Sequence, residues 1–147
     1  MVVDERWAYG SSLHVEVPTV GNFFTKGLYT GIELKVNQSN WLVGSVPAPN
    51  IHEGWRIKAV MIRYNIRGAV GVIDKIGVRQ GNLDVHGFEG LNMGPNNTWE
   101  TRKLELPNPS AFTWGLGVTI HCAVPQQVDV VHPTQFLFTS IGLEFIK

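Results

Sequence analysis

The sequence predicts an all-β fold, an antiparallel β-sandwich of jelly-roll type with about eight or nine strands. Three observations predict it. Amphipathic-helix periodicity is almost absent, whereas short runs rich in Val, Ile, Phe, Tyr and Thr alternate apolar with polar side chains. Gly, Pro and Asn interrupt these runs at roughly the 8–15-residue spacing of strands and turns. Long irregular links at 47–54 and 90–97 suit passages between two sheets better than the tight meander turns of a barrel.

The elements follow in order. Leu13, Val15 and Val17 alternate with His14 and Glu16 until Pro18 stops the run. Ile32, Leu34 and Val36 alternate with Glu33 and Lys35 before a polar turn at 37–40. Residues 41–46 form another strand, closed by the Pro-Ala-Pro-Asn loop. In the run 55–67, Val60, Ile62, Tyr64 and Ile66 share one face, opposite Arg63, Asn65 and Arg67. Ile57, Ala59 and Met61 carry the other phase, so a β-bulge or a stretch buried on both faces is expected near 59–60. In 71–80, Val72, Ile76 and Val78 share a face, and Gly81-Asn82 makes a two-residue hairpin turn into 83–88. Pairing Gln80 with Leu83 sets Arg79 beside Asp84 and Val78 beside Val85. Residues 101–106 form a strand ended by Pro107 and Pro109. Leu116, Val118, Ile120, Cys122 and Val124 share a face opposite Thr119 and His121. Residues 135–146 are apolar on both parities, as in a strand covered on both sides. With no repeat or linker, residues 1–147 read as one sandwich domain.

Composition limits what such a domain does. Twelve cationic and twelve anionic side chains in 147 residues cancel, and charged residues make up only 16%. A field this weak argues against nucleic acid as a partner. A sparsely charged surface is also poorly protected against association, which favours a homo-oligomer. A single cysteine, Cys122, excludes an intrachain disulfide, and its parity places it in the core. The first six residues lack the basic-then-apolar order of a signal peptide, and no apolar run is long enough to span a membrane, so the expected location is the cytoplasm.

Candidate chemistry is sparse. His14, His52, His86, His121 and His132 show no paired ligand spacing, so neither a metal nor another cofactor is expected. No nucleophile elbow is present, and Gly115-Leu-Gly117 precedes no helix that could cradle phosphate. If the strands 56–67, 71–80 and 83–88 are neighbours, one sheet face gathers Arg63, Asn65, Arg67, Lys75, Arg79, Asp84 and His86. Such a face could hold a carboxylate or phosphate, or simply be solvated. Trp7, Tyr9, Trp55 and Trp99 fall at expected strand ends or loops, where rings stack on a ligand or cap the core.

The opening, Trp7-Ala-Tyr-Gly10-Ser-Ser12-Leu-His-Val15-Glu16-Val-Pro18, resembles the start of a family of small, mostly bacterial domains of unknown function with the pattern W-x-x-G-x-S-x-x-V-E-x-P. The resemblance continues through Asn40-Trp41, the Pro47 to Pro49 segment, Gly87 to Leu91, Trp114 to Val118 and Phe138 to Phe145. It implies an all-β domain and assigns no catalytic residue. The reading that follows is a non-catalytic binding or assembly module, oligomeric, recognising a small polar ligand such as a saccharide. One alternative is a small isomerase, cyclase or lyase using His86 with Asp84 and Arg79, or His14 with Glu16. Another is a purely structural, self-assembling protein.

Overall fold

Two antiparallel sheets face each other across a single hydrophobic cluster in the computed structural model, which describes residues 1–126 and 131–147. The strands are β1 (Val3–Tyr9), β2 (Leu13–Val15), β3 (Asn22–Lys26), β4 (Tyr29–Leu34), β5 (Ser39–Ser45), β6 (Arg56–Arg67), β7 (Val72–Gln80), β8 (Leu83–Phe88), β9 (Glu100–Ser110), β10 (Leu116–Ala123) and β11 (Thr134–Ile146). Sheet I runs β3-β4-β11-β6-β9, with β1 also paired to β11; sheet II runs β2-β5-β10-β7-β8. The all-β sandwich expected from the sequence is therefore present, with eleven strands among the described residues where eight or nine were expected.

The core comes from alternate residues of the central strands. Phe136, Phe138, Ile141, Leu143 and Phe145 of β11 lie beside Ile57, Val60, Ile62 and Ile66 of β6. They meet Leu42, Ile76, Val78, Val118, Ile120 and Cys122 from sheet II. Each such aliphatic or aromatic side chain removed from water contributes about 1.5–3 kcal/mol. The change of phase in β6 is a bulge at Lys58: Ile57 pairs with Phe145, and Ala59 with Glu144. That extra residue turns both Ile57 and Val60 inward.

Four expectations are corrected. Strands β6 and β7 are not neighbours: the chain crosses from sheet I to sheet II between them. Gly68 and Gly71 carry φ of 152° and 125°, and a Cβ on Gly71 would sit 2.8 Å from Thr134 Cγ2, so this tight arch requires glycine. Strand β9 continues through Pro107 and Pro109 to Ser110, because it is an edge strand whose ladder tolerates missing donors. In β7 the inward residue is Ile73, not Val72; the pairing with β10 shifts at Asp74, and the bulge brings Ile73 and Ile76 to the same side. In the β7–β8 hairpin, Gln80 pairs with Leu83 and Arg79 with Asp84 as expected, but a second bulge puts His86 rather than Val85 opposite Val78. The links 47–54 and 90–97 both pass between the sheets, as expected.

Candidate functional site

The outer face of sheet II carries a trough set by register. In β5, Leu42 is buried and Trp41 and Val43 point outward; in β10, Val118, Ile120 and Cys122 are buried, and Gly117, Thr119 and His121 take the outer parity. Three cross-strand rows result. The first is Trp41, His121 and Lys75; the third is Gly117, Arg79 and Asp84. Between them runs a row of smaller side chains, Val43, Thr119, Gly77 and Gly87, with exposed His14 beyond Val43. Three strand spacings of about 4.8 Å make the row from Val43 to Gly87 roughly 14 Å long. A Cβ on Gly77 would lie 2.6 Å from Thr119 Oγ1, so glycine leaves the hydroxyl its place on the floor.

The walls are held in position. Nδ1 of His121 lies 2.6 Å from Asp74 Oδ1, and the His121 ring packs 4.7 Å from that of Trp41, tilted by 48°. Asp84 faces Arg79 at 3.4 Å, and Arg79 also donates to the carbonyl of Asn82 at 2.9 Å. Buried Asn40 fixes the strand just before Trp41: its oxygen accepts from the backbone N–H of Val17 and of Trp41, and its amide donates to the carbonyls of Val17 and Val20. The trough comprises two adjoining hollows of about 410 and 440 Å³ that share Trp41, Asp84 and Thr119. Glu16 closes one end, and Glu89 and His86 the other. An aromatic wall, a floor hydroxyl, the Asp84 carboxylate and the cations Lys75 and Arg79 can stack on a ring and exchange hydrogen bonds with several hydroxyls.

The outer face of sheet I holds a second hollow, of about 800 Å³. Here Tyr9, Ser140, Arg63 and Thr101 form one row, and Trp7, Gly142, Met61 and Lys103 the next. The Trp7 ring lies on Gly142, within 2.9 Å of where a Cβ would stand, and its N–H points to Glu5 at 3.4 Å. One rung further along, Glu144 is buried on this face and neutralised by Lys103 and Lys58. The bond to Glu144 raises the Lys103 pKa.

The sequence candidates thus separate. Lys75, Arg79, Asp84 and His86 come together around the trough, whereas Arg63 and Arg67 lie on the other sheet because β6 crosses over. His86 does not join Asp84 and Arg79 in one row: the bulge aligns it with Val78, and its ring meets Phe88 edge-on at 4.6 Å. His14 and Glu16 share no hydrogen bond among the described residues; His14 sits beyond Val43 of the middle row and Glu16 beside Trp41. Trp7 lies within β1 rather than at its end, with Tyr9 closing the strand. Trp55 precedes β6 as a clamp, donating to Glu53 at 3.1 Å under Lys147, whose Nζ is 4.7 Å from the ring centroid. The Trp55 bond, and then one that Lys147 Nζ donates to Glu53 at 3.1 Å, lower the Glu53 pKa. Trp99 precedes β9 and leans on Tyr29 with centroids 6.0 Å apart. Trp41, Thr119, His121 and Asp74 escaped sequence reasoning as a site, although Trp41 and His121 show outward parity on strands whose other parity is apolar. Burial pushes the Cys122 thiol well up, as its core placement requires. Among the described residues no group of three His, Cys, Asp or Glu side chains could hold a metal ion, and no helix is long and apolar enough to cross a membrane.

No family model and no curated protein sequence matches the chain. Its fold has close counterparts among solved structures. A low-affinity xylan-binding module of carbohydrate-binding family 86 from the gut symbiont Roseburia intestinalis superposes with a TM-score of 0.57 at 12% identity, covering 97% of this chain and 96% of that one. A family 29 carbohydrate-binding module carrying an Asp-to-Ala substitution, complexed with mannohexaose, gives 0.56 at 7% identity over 98% and 93%. A family 61 module in complex with β-1,4-galactotriose gives 0.50 at 13% identity over 94% and 86%. At these identities the likeness is one of fold: the chain has the β-sandwich architecture of carbohydrate-binding modules.

Proposed function

We propose that this chain is a non-catalytic saccharide-binding module whose ligand lies along the trough of sheet II. The observation that carries the reading is the row Val43, Thr119, Gly77 and Gly87 sunk between Trp41 and the Arg79–Asp84 pair. A channel of roughly 14 Å across the strands suits an extended chain of rings rather than one compact molecule. Glu16, Asp84 and Glu89, set against Lys75 and Arg79, leave the trough nearly balanced in charge and rich in hydrogen-bonding groups, which suits an uncharged, hydroxyl-rich ligand. The fold shared with modules described as binding xylan, mannohexaose and galactotriose supports the same reading.

Isothermal titration with xylohexaose, mannohexaose and β-1,4-galactotriose tests it. At least one should bind, and Trp41→Ala should weaken that ligand by about tenfold or more, or about 1.4 kcal/mol. A Trp41→Ala protein that binds unchanged would remove the trough as the site. Failure of all neutral oligosaccharides at millimolar concentration would remove the saccharide reading itself. The low charge content also supports a homo-oligomer as part of this proposal, and a monomeric mass in light scattering at micromolar protein would exclude it.

A further inference from the structure

We propose that the hollow on sheet I is a second ligand site of different chemistry, built for a saccharide that carries a carboxylate, that is, a uronic acid unit. Trp7 and Tyr9 are two residues apart on β1, so their side chains leave the same face about 7 Å apart. Both are open to solvent, Trp7 at 38% and Tyr9 at 83%. Gly142 allows the Trp7 ring to lie low, because any side chain there would lift it. Two neighbouring rings of this kind form a platform for stacking.

Arg63 supplies the charge. It stands two strands from Tyr9 in the same row, with Ser140 between them. Its guanidinium donates to Thr101 Oγ1 at 3.1 Å, and among the described residues no carboxylate lies within ion-pair distance of it. None of the residues lining the hollow is acidic; Glu5 sits one rung beyond Trp7 and is bonded to its indole. An exposed guanidinium with donors to spare, beside two exposed rings, complements a sugar ring bearing a carboxylate. The fork takes the two oxygens, and the ring stacks on Trp7 and Tyr9. Ser140 and Thr139 provide hydroxyl partners at the hollow's floor. The volume of about 800 Å³ falls within the size of small-molecule sites. Among the described residues that line it, the hollow's charge is Arg63 alone, whereas the trough of sheet II sets Glu16, Asp84 and Glu89 against Lys75 and Arg79. The hollow would then favour acidic sugars over neutral ones.

Titration calorimetry at low ionic strength with a galacturonic acid tetramer and the galactose tetramer of the same linkage tests the inference. The acidic tetramer should bind the wild type and weaken with added salt. Arg63→Gln and Tyr9→Ala should each reduce its affinity about tenfold or more. Both residues are exposed, so circular dichroism should show folded variants. Trp41→Ala should leave acidic-tetramer binding unchanged, whatever it does to a neutral ligand. Equal binding of the two tetramers, indifference to Arg63→Gln, or loss of the acidic tetramer in Trp41→Ala would each overturn the proposal. So would absence of acidic-tetramer binding at millimolar concentration, and neutral binding sensitive to Trp41→Ala would then leave the trough standing alone.

Discussion

Oδ1 of Asp74 lies 2.6 Å from Nδ1 of His121, and it reaches that ring because Asp74 is the extra residue of a bulge in β7. In a regular ladder Lys75 alone would face His121 on the outer side. The bulge aims a carboxylate at the imidazole, and the imidazole in turn braces Trp41.

Asp74→Ala should therefore release His121 and, through it, Trp41. We expect a neutral oligosaccharide to lose about three- to tenfold in affinity, on the scale of one hydrogen bond to a side chain, or about 0.5–1.5 kcal/mol. The midpoint of thermal unfolding should fall by only a few degrees, roughly 2–4 °C per kcal/mol. Calorimetric titration and scanning calorimetry of the same sample separate the two effects.

Asn40→Ala acts on stability instead. The buried amide makes four hydrogen bonds, and its loss strands backbone groups of Val17, Val20 and Trp41. We expect a destabilisation of about 2–4 kcal/mol in chemical unfolding, with the denaturant slope unchanged. A change under about 0.5 kcal/mol would mean that water replaces the amide.

Gly142→Ala probes sheet I. The new methyl group would stand 2.8 Å from the backbone oxygen of Arg6 and 2.9 Å from the Trp7 ring. The result should be a loss of about 1–3 kcal/mol and a Trp7 side chain lifted into solvent. Tryptophan fluorescence should shift to the red while Trp41-dependent binding persists.

Alkaline unfolding should carry the signatures of Tyr64 and Lys103. Burial, and then Glu100, which accepts its hydrogen bond, raise the Tyr64 pKa, and the bond to Glu144 raises that of Lys103. A group whose pKa is higher in the folded state stabilises fully below its unfolded value and loses that contribution as pH rises through the folded one. Stability should thus hold up to about pH 10 and fall above it. Tyr64→Phe should flatten the alkaline limb, and an unchanged limb would show that Tyr64 ionises as freely as in the unfolded chain.

The strands with one buried face were legible in the sequence because alternation reports burial directly. Leu116 to Cys122 is an example and lies on β10 as expected, whereas the run ending at Ile146, apolar on both parities, is β11 and is buried along most of both faces. What alternation does not report is which sheet a strand joins. Arg63 and Arg67 share the polar parity of Lys75 and Arg79, but the four-residue arch through Gly68 and Gly71 sends them to the opposite side of the sandwich. Strands β1 and β3 were missed: β1 shows little burial because its outer face is open to solvent. The bulge at Asp74 had left a trace, since Ile73 and Ile76 are three apart and no regular strand turns both to one face. Trp41 was legible as a strand residue, but its partner His121 lies 80 positions away by the pairing of β5 with β10.

Strand β11 is the member of sheet I that joins the others. It pairs with β4 and β1 along one edge and with β6 along the other, so residues 134–146 complete contacts made by residues 3–9, 29–34 and 56–67. During synthesis those earlier segments leave the ribosome long before their common neighbour exists. Until β11 emerges, Phe23, Ile32 and Ile62 have no central strand to pack around, and the nascent chain presents sticky unpaired edges. Such a topology ties maturation of the sandwich to residues 134–146, the strand that follows all of its partners in the chain.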